Sequence, residues 1–93
     1  MHGFISTVDI DAARADEALE LLREFTIPTA KSQPGFVRGV WLRDDDGSGG
    51  RGFVLFDTQE HARAAADLAR QGPPPGSPVT LRSVEVLEVV GEA

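Results

Sequence analysis

Phe36-Val37-Arg38-Gly39-Val40-Trp41-Leu42-Arg43, Asp44-Asp45-Asp46-Gly47-Ser48-Gly49-Gly50 and Arg51-Gly52-Phe53-Val54-Leu55-Phe56-Asp57 follow one another and read as a single β-hairpin. The outer two pieces are rich in β-branched and aromatic residues, the usual content of strands. The acidic, glycine-rich piece between them is saturated with turn formers, so the strands are expected to pair antiparallel over Phe36–Arg43 and Arg51–Asp57. Apolar side chains fall on both faces of each strand. Phe36, Val40 and Leu42 alternate with Val37 and Trp41, while Phe53 and Leu55 alternate with Val54 and Phe56. A sheet with one wet face would alternate apolar and polar instead.

Outward from the hairpin, Gly3–Ile10 reads as a first strand, and Asp11 can cap the helix that follows it. Ala15, Ala18, Leu19, Leu22 and Phe25 recur at helical spacing, with Arg14, Asp16, Glu17, Glu20, Arg23 and Glu24 on the wet side. Pro28 lacks an N–H and crowds the preceding turn, so this helix is expected to kink and to end near Lys31. Thr58 can cap a second helix over Gln59–Gln71. Its buried stripe of Ala62, Ala65, Ala66, Leu68 and Ala69 is mostly alanine, so it should approach its sheet closely. Gly72 ends it, Pro73–Pro78 forms a stiff connector, and Val79–Val90 is the last strand. The order is that of a ferredoxin-like βαββαβ sandwich, an α+β fold in a single domain over residues 1–93. Two helices are expected on one face of a four-stranded antiparallel sheet. No residues remain to cover the other face, so a homodimer is expected to form through it. The last strand agrees, since Val84 and Val86 alternate with Leu87 and Val89.

Ninety-three residues bury only a modest core. Cysteine is absent, which excludes disulfides and thiolate chemistry and fits a cytoplasmic protein. No apolar run approaches the roughly 20 residues of a membrane span, and no signal segment is evident. The formal net charge of −6 opposes binding to phosphate backbones, so no nucleic-acid partner is expected. Gly52–Phe56 partly matches the strand of RNA-recognition motifs, with Phe4 and Phe53 as stacking candidates. That reading also needs a basic surface, which this chain lacks.

The segments Pro34–Leu42 and Gly52–Ala62 resemble the dimeric α/β-barrel superfamily, and within it the antibiotic-biosynthesis-monooxygenase-like domains. The resemblance covers nearly the whole chain and rests on structural motifs, a Pro-Gly-Phe entry into a strand and a short helix after the third strand. It implies two sheets packed face to face with a ligand cavity in each half. Members include cofactor-free monooxygenases, haem-degrading enzymes and proteins without known activity. The Asn, Trp, Tyr and His groups of the active branches cannot be reassembled here, because Asn and Tyr are absent. Activity is therefore not inherited with the fold.

The candidate residues are few. Trp41, the only Trp, can stack on a planar ligand or serve as a core aromatic. Phe53 is expected beside it if the two strands pair Trp41 with Phe53. A slip of one residue would put Trp41 opposite Val54 or Gly52 and reverse the assignment. Gly39 and Gly52 can leave room for a ligand, although Gly39 can equally mark a bulge. Arg38 or Arg43 can hold an anionic group, or serve in surface ion pairs. His61 starts the second helix, where a neutral imidazole can act as a base, but no carboxylate or nucleophile is evident beside it, so a solvated residue is the plainer reading. His2 reads as terminal. Asp44–Gly47 lacks the spacing of a calcium loop. No metal and no cofactor are expected. The favoured reading is a homodimeric domain that binds a small apolar or aromatic molecule, with Trp41 and Phe53 lining a cavity on the partner-facing side. The alternatives are a cofactor-independent monooxygenase or related enzyme, and a structural interaction domain without a ligand.

Overall fold

A computed structural model describes residues 1–93. Strands β1 (His2–Ile10), β2 (Phe36–Arg43), β3 (Gly49–Phe56) and β4 (Val79–Glu88) form one antiparallel sheet in the order β2-β3-β1-β4. The helical segments α1 (Ala15–Leu21), α2 (Ile27–Lys31) and α3 (Gln59–Ala69) connect them as the sequence suggests. Asp11 caps a 3-10 turn at Ala12–Arg14 that leads into α1, its carboxylate accepting from the N–H of Ala13 at 3.1 Å. Thr58 caps α3, its hydroxyl accepting from the N–H of His61.

The expected kink takes a specific form. Between α1 and α2 the helix widens into a π turn at Leu22–Thr26, closed by the N–H of Ile27 donating to the carbonyl of Leu22. Pro28 follows at once and cannot donate to the turn before it, so the wider turn absorbs the mismatch.

The core is thin. Only 13 of 93 residues are buried, and the main cluster is Phe4, Val54, Phe56, Ala62, Ala65 and Ala66. The alanine face lets α3 lie directly against the sheet. Helix α2 rests on β2, whereas α1 and the π turn stand off the sheet. A sandwich with one close helix and one distant helical segment leaves a gap on the distant side.

The register of the hairpin fixes what faces that gap. The loop runs over Asp44–Ser48, with the N–H of Asp44 donating to the carbonyl of Gly49 at 2.8 Å. From there Arg43 pairs with Gly50, Trp41 with Gly52, Val40 with Phe53 and Gly39 with Val54, and the register shifts between Phe36 and Arg38. Trp41 thus shares the helix-facing side with Phe4, Ser6, Val54 and Phe56. Phe53 shares the opposite side with Ile5 and Val40.

Candidate ligand-binding site

A cavity of about 510 Å³ lies between the sheet and the helices. Its floor is the helix-facing side of β1 and β3 (Phe4, Ser6, Val8, Gly50, Gly52, Val54) and its roof comes from α1, the π turn and α3. Eighteen of its 28 lining residues are hydrophobic, which suits an apolar occupant. Phe25 and Leu68 line it while remaining exposed, so they stand where it meets solvent.

Trp41 forms one wall. A Cβ added at Gly39 would lie 2.5 Å from Trp41 Cη2, and one at Gly52 would lie 2.8 Å from Trp41 Nε1 and 2.8 Å from Ser6 Oγ. The indole therefore lies across the sheet on two glycines, its benzo ring over Gly39 and its pyrrole edge over Gly52 beside Ser6. That flat placement needs both glycines. No buried side-chain nitrogen or oxygen lacks a hydrogen-bond partner, and neither Trp41 Nε1 nor Ser6 Oγ has a partner within the chain. Both atoms are therefore accessible, side by side at the cavity.

The expectation that Trp41 and Phe53 share one cavity on the partner-facing side needs correction. The cavity is on the helix side, and Phe53, one residue out of phase with Gly52, points away from it. Gly39 does not line it either, because the volume that Gly39 frees is taken by Trp41 itself. Arg38 pairs in register with Leu55 on the open face. Of the stacking candidates weighed for RNA, Phe4 is buried under the helices and only Phe53 is on the open face.

His61 sits outside the cavity, but not alone. Its Nδ1 donates to Asp57 Oδ1 at 2.6 Å. The carboxylate is four residues earlier, at the last turn before α3, so His61 has the acidic partner that was not expected beside it. Gly35, at φ +78°, packs against it so closely that a Cβ there would collide with both side chains. The hydrogen bond from His61 holds the Asp57 carboxyl below its ordinary value of 3.8. A depressed folded-state carboxyl contributes stability that is complete above that value and is lost as pH falls through the lower folded value. Acid titrations followed by circular dichroism should show this: Asp57→Asn is expected to be less stable than the parent at neutral pH, with the two curves converging below about pH 3.8. Parallel curves at every pH would remove the pair from the stability account. No nucleophile accompanies the pair, and no group of three or more His, Cys, Asp or Glu is placed to hold a metal ion.

No family model and no curated protein matches the sequence. Solved structures do. The heme-degrader MhuD from Mycobacterium tuberculosis, solved with two hemes in its active site, superposes with a TM-score of 0.74 at 19% identity, over 100% of this chain and 99% of that one. HapK from Hahella chejuensis superposes with a TM-score of 0.70 at 13% identity, over 100% and 96%. SnoaB, a cofactor-independent oxygenase from Streptomyces nogalater, superposes with a TM-score of 0.65 at 17% identity, over 98% and 94%. The fold is the one these structures share, a four-stranded antiparallel sheet with helices packed on one face. At these identities the likeness establishes architecture, and the chemistry rests on this chain's own residues.

Proposed function

We propose that the chain is a homodimeric small-molecule-binding domain that holds a planar, largely apolar molecule against Trp41 in the cavity between sheet and helices. One observation carries the reading: an indole laid flat on two glycines, with its N–H edge open beside an apolar cavity large enough for a multi-ring ligand. A neutral planar probe, anthraquinone-2-carboxamide, is expected to quench Trp41 emission saturably. Trp41→Phe is expected to weaken its binding about 3- to 10-fold by calorimetry, since the ring contact shrinks and the indole donor is lost. Absence of saturable quenching, or unchanged affinity in Trp41→Phe, would count against the assignment.

The likeness to SnoaB keeps a cofactor-independent oxygenase as the second reading. Catalysis of that kind needs a group able to take a proton from the substrate, and the polar lining residues Ser6, Thr26, Gln33 and Trp41, with three arginines, include no His, Tyr, Asp or Glu. The candidate base His61 is outside the cavity and bound to Asp57. A heme, which MhuD holds, would find no His, Cys, Tyr or Met side chain in this lining for its iron. Binding therefore stands first.

The open face supports the homodimer. Val40, Leu42 and Leu87 are 41–57% exposed there, next to half-buried Ile5, Phe53 and Leu55, with Arg38, Arg51 and Glu85 on the same face. An exposed apolar cluster of this kind, rimmed by charged residues, marks an interface, and a second copy presents the same face. Light scattering should give twice the 9.9 kDa chain mass. Phe53→Lys, at the centre of the face, should give a folded monomer. A parent protein monomeric at micromolar concentration would overturn the dimer. No helix is long and apolar enough to cross a membrane, and the absence of cysteine favours the cytoplasm.

A further inference from the structure

The chain carries fifteen acidic residues against nine basic ones, yet no Asp or Glu lines the cavity. Its only charged lining residues are Arg23, Arg43 and Arg51. Arg51 has a carboxylate within reach, with Asp44 Oδ1 at 3.9 Å. Arg23 and Arg43 take part in none of the five ion pairs of the chain. Lys31, Arg38 and Arg63 are unpaired as well, but none of them lines the cavity.

The two free arginines come from separate elements. Arg23 belongs to the π turn, where the widened backbone stands off the sheet. Arg43 is the last residue of β2, in register with Gly50 on the helix-facing side. Both line the cavity while remaining exposed, as suits a side chain with an apolar stem and a charged, hydrated head. The polar groups farther in, Ser6 Oγ and Trp41 Nε1, can serve a carbonyl or hydroxyl but supply no charge.

We propose that the cavity takes an apolar, ring-containing molecule that carries an anionic group, a carboxylate or its equivalent, held at the mouth by Arg23 and Arg43. The proposal rests on the ligand-binding reading above and narrows it. Planar guanidiniums pair with carboxylates through parallel N–H donors. Two unpaired cations lining an acid-free cavity also attract anions to a chain that is negative elsewhere.

The test compares anthraquinone-2-carboxylate with its neutral carboxamide by calorimetry on the full chain, at low and at moderate ionic strength. The carboxylate is expected to bind roughly ten-fold tighter at low salt, two exposed charge pairs contributing modestly each, with the advantage shrinking as salt is added. The double variant Arg23→Gln, Arg43→Gln should lose the preference while keeping its affinity for the carboxamide, and Arg23→Lys, Arg43→Lys should retain part of it. Equal binding of the two probes, or a preference that survives the Gln substitutions, overturns the anionic assignment and leaves the cavity reading intact. Failure of both probes to bind overturns both.

Discussion

Phe56→Ala is expected to lower stability by about 3–5 kcal/mol, enough to unfold much of the protein. Phe56 is fully buried and joins the two layers of the sandwich. Its ring stacks on Phe4 with centroids 5.9 Å apart and meets Phe36 edge-on at 6.2 Å. The side chain of α3 that would have to close over a hole there is alanine, at Ala62, Ala65 and Ala66, so the surroundings have little volume with which to collapse. A domain with 13 buried residues has few other contacts to offset the loss. Denaturant titration reads the effect directly. A loss below about 1 kcal/mol would mean that the core is not organised around this ring.

Gly52→Leu is expected to abolish ligand binding, with a loss of more than 100-fold, at a smaller cost in stability. The new Cβ would start 2.8 Å from both Trp41 Nε1 and Ser6 Oγ. The indole must then leave its place on the sheet, and the rest of the side chain extends into the cavity. The fold tolerates the change better than Phe56→Ala because the displaced ring has the cavity to move into, so about 1–3 kcal/mol is expected. Calorimetry with the carboxamide probe, beside circular dichroism, separates the two effects. A folded Gly52→Leu protein that binds at parental affinity would place the ligand elsewhere.

The elements were legible because each has a local cause. The acidic turn makes the hairpin, the alanine stripe brings α3 onto the sheet, and Pro28 breaks the first helix. Apolar residues on both sheet faces were legible for β2 and β3, whereas on β4 Val84 and Val86 face the helices and Glu85 stands beside Leu87 on the open face. The side on which Trp41 lies was not. It depends on whether pairing starts at Gly49 or at Arg51, and two glycines without side chains leave no hydrophobic pattern to decide between registers. Once Gly49 joins β3, the pairing of Trp41 with Gly52 follows and Phe53 turns to the open face. Arg23 was hidden by periodicity: a regular helix puts it on the wet side, whereas the π turn brings it to the rim of the cavity. Asp57 escaped notice because it reads as the end of a strand, although it is four residues before His61. The standoff of α1 from the sheet, which creates the cavity, has no signature in the sequence beyond Pro28.

The ligand is expected to occupy the space between the sheet and its own helices, against Trp41. Two-dimensional amide and indole NMR spectra of the protein titrated with anthraquinone-2-carboxamide test it most directly. The largest shift changes are expected at the Trp41 indole N–H, Ser6, Gly52, Leu22 and Leu68. Changes confined to Ile5, Val40, Phe53 and Leu87 would place the molecule on the open sheet face and contradict it.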